Sequence, residues 1–452
     1  MSNIRILFRL AMVFALSVTT LSAQVLYNFG KNAGDPLNPQ APGVIAQGLD
    51  GNLYSTTPSG GSNTCGGQTC GTVFKMALNG TLTVLYSFDG RHGASPASGL
   101  TLGTDGNFYG TTAGGGASSL GTVFKITSNG QLTVLYSFTG LSDGSYPQAP
   151  PIQGADGNWY GTVYQGGSGL FGTIYTITSS GFATLYAFDG SHGAYPSAPL
   201  LLGADGNLWG TTTAGGNGHG TIFKITTSGV LTVLHKFDRG DTPNIVQASD
   251  GNFYGTILHT NVGDGSIYKM TPTGVYSTLH NFSGADGISP LGLMQATDGN
   301  LYGVTEQGGT ANLGTVWRMS LGGSFTSLFS FTSGTGSSPQ VVPLQHTKGI
   351  LYGEASAGGK FNGGTFLDGS IGLKPFAGLL PTTGAAGSSV GILGQGLGQA
   401  TGVSFNGTAA TFSLVSDTFM TATVPAGATT GAVTVTTPTG TLTSNKQFIV
   451  LP

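Results

Sequence analysis

One motif constrains this chain more than any other. The block Asp-Gly-Asn-[Leu/Phe/Trp]-[Tyr/Trp] begins at Asp50, Asp105, Asp156, Asp205, Asp250 and Asp298, with a decayed seventh copy, KGILYG, from Lys348. Successive copies are 55, 51, 49, 45, 48 and 50 residues apart. Each is followed by a Gly-rich stretch, then by GTVFK or a variant starting at Gly71, Gly121, Gly172, Gly220, Gly265, Gly314 or Gly364. A short turn and a segment such as VLYSF complete the unit. A repeat of this length is one supersecondary unit that buries its faces only by stacking on its neighbours.

Within a unit the pattern predicts four strands, a to d. In the second these are GLTLGT, NFYGTTA, GTVFKIT and QLTVLYSF, linked through Asp105-Gly106 (a to b) and Asn129-Gly130 (c to d). Both dipeptides suit two-residue hairpin turns. Leu132, Val134, Tyr136 and Phe138 fall on one side of strand d and Leu135 on the other, so the sheet is expected to be covered on both faces. No sustained 3.6-residue period appears, so helix is expected to be scarce.

Four-stranded units of this length, stacked in a ring, make an all-β propeller; an open β-solenoid is the rival arrangement. Strands b and c occur seven times, whereas the seventh unit lacks a clear strand d. The early segment QVLYNFG, from Gln24, has the sequence of a strand d. The expectation is a seven-bladed β-propeller over residues 24–373, closed by the N-terminal strand. Val25, Tyr27 and Phe29 should then pack as Val84, Tyr86 and Phe88 do. An unclosed ring would leave exposed strand edges.

The repeats over about residues 25–367 resemble the tandem repeat of the choice-of-anchor GloVer-containing family. That resemblance implies export and varied C-terminal surface anchors, and it implies no catalytic activity. This chain ends NKQFIVLP, without an apolar tail and basic end. Residues 374–452 change composition and alternate over short strands, as a β-sandwich does. Their segments PTTGAAGSSVGILGQGLG, VSFNGTAATF, VPAGATTGAVTVTT and FIVLP resemble the IPT/TIG immunoglobulin-like domain. The resemblance implies a spacer or binding module outside the cell.

Residues 1–23 read as a signal peptide. Arg5 and Arg9 precede the short apolar stretch Leu10 to Val18, and Leu-Ser-Ala before Gln24 supplies a small-residue cleavage site near Ala23. The apolar stretch is short for a bilayer span, which leaves a membrane anchor as the lesser alternative. A secreted or cell-envelope location follows, with no membrane span in the mature chain. Only 7% of residues are charged, net charge is −3, and no basic run exists, which argues against a nucleic-acid partner. Gly is abundant at 80 residues, yet 38% of the chain is hydrophobic, so the glycines serve turns in a packed protein.

Candidate sites are few. Cys65 and Cys70 are expected to form a local disulfide, since no further metal ligands lie near them in sequence. The six Asp-Gly-Asn blocks could hold calcium, but Asp and Asn are also turn residues, and that reading is favoured. Neither a metal nor a cofactor is expected. The d–a loops FDGRHGASP, FTGLSDGSYP and FDGSHGAYP should share one face with the b–c loops. Arg91, His92, Tyr146, His192 and Tyr195 are the candidate ligand-binding residues there. Glu306 and Glu354 are the only glutamates and could form a catalytic carboxylate pair. The stretches AGGGASSLGT and AGGNGHGT lack the Lys and following helix of a phosphate loop. The expected function is a non-catalytic exported binding or scaffold protein for glycans or envelope proteins. A propeller lyase or hydrolase and a purely structural spacer are the alternatives.

Overall fold

The computed structural model describes residues 21–40, 43–96, 98–238, 244–258 and 263–451. The expected leader lies outside this set except for its last three residues, Leu21 to Ala23. The described chain is all-β, with a single 3-10 turn at Leu397–Gln399. No helix among these residues is long and apolar enough to cross a membrane.

Each repeat forms one antiparallel sheet in the order a-b-c-d, which gives a β-propeller-like arrangement. In the first unit the strands are Ala46–Gln47, Leu53–Thr57, Thr72–Met76 and Leu82–Ser87. In the seventh, Leu351–Ala357 and Thr365–Ser370 form b and c, and Ser22–Asn28 pairs antiparallel with the latter. Val25 lies opposite Leu367 and Tyr27 opposite Phe366, with a bulge between. In the first unit Val84 lies opposite Phe74 and Tyr86 opposite Val73, with the same bulge. The Phe29 N–H donates to the Gly364 carbonyl at 3.0 Å, as Phe88 does to Gly71 at 3.0 Å.

Side chains project from both faces of each sheet, so every unit meets two neighbours. Tyr54 and Val73 of unit 1 pack on Phe108, Phe124 and Ile126 of unit 2. Similar clusters join units 2 and 3, 3 and 4, 4 and 5, 5 and 6, and 6 and 7. Tyr352 and Phe366 of unit 7 pack on Leu53, Phe74 and Met76 of unit 1. Aromatic rings stack across several joints, as with Tyr54 on Phe108 at 4.0 Å and Trp209 on Phe253 at 3.9 Å. A glutamine ending strand a also reaches the preceding unit. Thr104 N–H donates to Gln153 Oε1 at 3.0 Å, and Thr347 N–H to Gln47 Oε1 at 3.0 Å.

The turns differ from the two-residue form. In unit 2, Leu102 pairs with Phe108 and Ile126 with Leu132, so the loops are longer. Gly106 and Gly130 have φ of +77° and +87°, but Asp105 and Asn129 do not have positive φ. A type I′ turn needs positive φ at both central residues; a longer loop with one left-handed Gly does not. Strand a is also shorter than expected, at Thr101–Leu102. Just before it, the backbone turns to the neighbouring unit, where Leu100 N–H donates to the Val44 carbonyl at 3.1 Å.

Beyond residue 374 the chain forms two four-stranded antiparallel sheets, one containing Ser389–Leu393 and Phe419–Thr423, the other Gly402–Phe405 and Val433–Thr437. They enclose a core of Val390, Ile392, Phe405, Met420, Val433 and Val435. This module contacts the Asp-Gly-Asn end of units 7 and 1. Thr418 Oγ1 donates to the Leu49 carbonyl at 2.7 Å, and Phe376 N–H to that of Thr347 at 2.9 Å.

Candidate functional site

The d–a loops and b–c loops lie together at the other end of the sheets. Three d–a loops pair with the b–c loop of the next unit through single bridges, Ala94 with Gly114, Ser145 with Gln165 and Ala194 with Ala214. A repeated latch fixes these loops. The residue before the loop proline has positive φ, and its N–H donates to the carbonyl preceding the GT glycine. Ser95, Tyr146, Tyr195, Ser289, Ser338 and Asn38 all adopt it, with φ between 50° and 60°. The proline that follows sits against the glycine, so that a Cβ on Gly121 would come within 2.6 Å of Pro147. Left-handed φ is uncommon for bulky residues and carries a backbone cost. Ser and Asn fill most copies, and tyrosine fills two.

Tyr146 donates its N–H to Leu120 at 2.9 Å and Tyr195 to Phe171 at 2.8 Å, so the latch needs no tyrosine ring. Tyr146 is 41% exposed, and Leu141 of the same d–a loop is 76% exposed. The Tyr195 ring lies 5.3 Å from Tyr164 and 5.9 Å from Phe171. Leu170, adjacent to Phe171, is exposed at 71%. The loops around unit 3 therefore present an aromatic and aliphatic patch. Tyr164, Leu170 and Phe171 were not among the residues expected from sequence. A signal did exist, because Tyr164 occupies the position of Ala113 in unit 2 and Thr213 in unit 4.

The two candidate histidines serve their own loops. His92 donates its N–H to Asp89 at 2.8 Å and its Nδ1 lies 2.7 Å from the same carboxylate. His192 repeats this with Asp189, at 3.0 and 2.9 Å. The His192 backbone N–H, with its ring and Ser191, holds the Asp189 carboxyl down at about 2. In other copies the carboxylate comes from the far side of the loop. Asp143 accepts from Thr139 N–H at 2.7 Å, and Asp286 from Ser283 N–H at 2.9 Å. Arg91 and His92 belong to the loop between units 1 and 2, whereas Tyr195 and its aromatic partners lie about units 3 and 4.

Glu306 and Glu354 are not brought together. Both lie within strand b, of units 6 and 7 respectively. Glu306 Oε1 accepts from Gln340 Nε2 at 2.8 Å, between units 6 and 7. Glu354 shares the strand face of Tyr352, which packs on unit 1, so the seventh sheet separates the two carboxyls. Neither Glu354 oxygen has a hydrogen-bond partner among the described residues. Burial pushes its carboxyl up to about 8, against a weak opposing pull from the Ser55 hydroxyl of unit 1. In units 2, 3 and 5 the same position is a threonine whose hydroxyl donates to the next unit, as Thr111 does to the Ala149 carbonyl at 3.1 Å.

The Asp-Gly-Asn carboxylates are occupied by their own turns. Asp105 accepts from Asn107 N–H at 3.1 Å, Asn107 Nδ2 at 2.7 Å and Tyr109 OH at 2.8 Å. The other five copies repeat this, with Trp209 Nε1 replacing the tyrosine hydroxyl in the fourth. No group of three or more metal-ligating side chains occurs among the described residues. Cys65 and Cys70 are bonded, closing the hairpin Thr64–Cys65 to Gln68–Thr69 in the first b–c loop.

Among solved structures, a fungal alcohol oxidase of the AA5 family, in complex with copper, aligns over 93% of this chain and 100% of its own at 14% identity, with a TM-score of 0.54. That likeness is one of fold. A luciferin-regenerating enzyme aligns over 60% of this chain and 89% of its own at 13% identity and a TM-score of 0.41. A gluconolactonase from Xanthomonas campestris aligns over 62% and 97% at 14% identity and a TM-score of 0.36. No curated protein sequence matches the chain. A family model does, over residues 9–149, 65–245 and 238–413, spanning the whole repeated region. The chain belongs to the Gloeobacter/Verrucomicrobia repeat family.

Proposed function

We propose that this is an exported, non-catalytic binding protein that engages uncharged glycans through its loop face. In this reading the units close into a seven-bladed propeller fastened by the N-terminal strand, and the C-terminal module is an immunoglobulin-like domain of the IPT/TIG type. Ring closure is supported by the packing of Tyr352 and Phe366 on Phe74, and by the pairing of Ser22–Asn28 with Thr365–Ser370. The module touches the Asp-Gly-Asn end, which leaves the loop face uncovered by it.

One observation carries the glycan reading. Two tyrosines occupy a left-handed latch position that serine or asparagine fills in the other described copies, and the Tyr146 ring faces solvent. The latch gains nothing from either ring, and the exposed Tyr146 ring is free to serve recognition. Aromatic faces with a polar hydroxyl and no nearby unpaired charge suit the apolar faces and hydroxyls of sugar rings. The hydrolase reading loses its motive, because the seventh sheet lies between the Glu306 and Glu354 carboxyls.

The test is a glycan array with the purified chain, alongside Tyr146→Ser and Tyr195→Ser. Serine keeps the latch, as Ser95 and Ser289 do. Binding to neutral glycans that weakens about tenfold or more in the variants, with unchanged melting temperature for Tyr146→Ser, supports the reading. A silent array favours a purely structural spacer, and binding indifferent to both substitutions moves the site elsewhere.

A further inference from the structure

The seventh sheet lacks two large side chains that every other sheet has. The fifth residue of strand c is Met76, Ile126, Ile177, Ile225, Met270 or Met319 in units 1 to 6, and Gly369 in unit 7. The register is the same in each case, since Leu53 faces Met76 as Leu351 faces Gly369. The partner on strand d is Leu82, Leu132, Phe182, Leu231, Tyr276 or Phe325 in units 1 to 6. In unit 7 it is Ala23. A large apolar pair has become Ala and Gly at the same point of the sheet.

Leu21 fills the vacancy. A Cβ on Gly369 would lie 2.5 Å from Leu21 Cδ1 and 3.0 Å from its Cγ, and Gly369 is not among the left-handed glycines. Backbone conformation therefore does not demand glycine at 369; the Leu21 side chain does. Leu21 is 9% exposed and shares a cluster with Val304, Leu351 and Leu367. Its N–H donates to the Leu328 carbonyl of unit 6 at 3.3 Å, and Ser22 and Ala23 pair with Ser370 and Gly369. A cavity of about 40 Å³ already adjoins it, lined by Ala23, Val316, Gly353 and Leu367 among others. Part of that space opens because Leu367 faces Gly353 where Phe124, Tyr175, Phe223, Tyr268 or Trp317 faces the equivalent glycine in units 2 to 6. Removing Leu21 would join its volume to this void.

We infer that Leu21, Ser22 and Ala23 are structural residues of the last sheet, and that leader processing occurs upstream of Leu21 rather than after Ala23. The processing half of this rests on the export reading above. The sequence is compatible with this, since Leu21-Ser22-Ala23 puts a large residue three positions before the cut, where a cleavage site has a small one.

Two measurements test this. The full chain is produced in an exporting host and its intact mass and first residue are determined. A first residue at or before Leu21, with the leader removed, is expected. A chain beginning at Gln24 overturns the inference. A folded chain still carrying residues 1–20 overturns the processing claim and the export reading with it, and leaves the structural claim to the second measurement. There, chains starting at Leu21 and at Gln24 are compared with and without Gly369→Met. The Gln24 start should melt about 5 °C lower, as expected when a buried leucine is lost. Gly369→Met should lower the melting temperature of the chain that has Leu21, by collision, and raise that of the chain lacking it, by refilling the site. Equal stability of the two starts, or an effect of the same sign in both, overturns the structural role of Leu21.

Discussion

His346 Nε2 donates to the carbonyl of Gly51 at 2.9 Å, tying the seventh unit to the first. Six units have Gly or Ala at the position of His346, namely Gly48, Gly103, Gly154, Gly203, Ala248 and Ala296. The ring is fully buried, and its Nδ1 accepts from the Lys348 N–H at 3.1 Å. A carbonyl on one nitrogen and an N–H on the other fix the neutral tautomer. Burial pushes the imidazole down to about 4, with the Lys348 charge acting the same way and the Gly51 bond opposing.

The sign of the resulting pH dependence follows from linkage. Between about 6.5 and 4 the unfolded chain binds a proton that the folded chain refuses, so the contribution of neutral His346 is complete above 6.5 and is lost as pH falls toward 4. The loss amounts to about 3 kcal/mol. Glu354 imposes an opposite slope over the same range, so the readout is the urea midpoint of His346→Gln relative to wild type from pH 4 to 8, which should rise as pH falls below about 6.5. An unchanged difference across this range would show that His346 does not titrate on unfolding.

Glu354 produces the opposite slope. With its carboxyl raised to about 8 from 4.5, the folded chain retains a proton that the unfolded chain loses. The stability contribution is complete below 4.5 and disappears as pH rises through 8, by an amount on the order of 5 kcal/mol. Glu354→Gln keeps the shape and removes the charge. Its stability relative to wild type should grow between pH 5 and 9, read from denaturant midpoints. A gap that stays constant across this range would contradict a neutral buried carboxyl.

Phe29 should behave as a residue of the fold and not of a tail. Its side chain is as fully buried as Phe88, and its N–H makes the corresponding bond. Phe29→Ala and Phe88→Ala should each cost about 3–5 kcal/mol in equilibrium unfolding. A loss below about 1 kcal/mol for Phe29→Ala alone would mean that the N-terminal strand is not paired in solution.

The Asp-Gly-Asn carboxylates are hairpin anchors, so calcium should be irrelevant to them. Asp105→Ala releases the Asn107 and Tyr109 donors and should cost about 1–2 kcal/mol. The melting temperature of the wild-type chain should be the same with calcium and with a chelator. A rise of several degrees on adding calcium would revive the metal reading.

The repeat and the order of strands were legible because each strand carries its own alternation and each hairpin its own Gly. The place of Ser22–Asn28 was legible for the same reason, since Val25, Tyr27 and Phe29 repeat the spacing of Val84, Tyr86 and Phe88. The turn type was misread because Asp-Gly and Asn-Gly fit both two-residue and longer loops. Only the strand register separates these, and register depends on the partner strand. The tyrosine patch was half visible: Tyr146 and Tyr195 stood out in the loops, whereas Tyr164 and Phe171 join them only through the packing of adjacent loops.

By itself, then, the sequence determined the unit, its four strands and the kind of strand the N-terminal segment had to be. Those properties are local, written in side-chain alternation and turn residues a few positions apart. Tertiary structure alone decided that the seventh sheet separates Glu306 from Glu354, that His346 reaches Gly51, and that Leu21 lies over Gly369. Each depends on which sheet face meets which neighbour, between residues as far apart as 348 positions in the case of Leu21 and Gly369. Stacking of whole units brings such pairs into contact, and no local pattern encodes it.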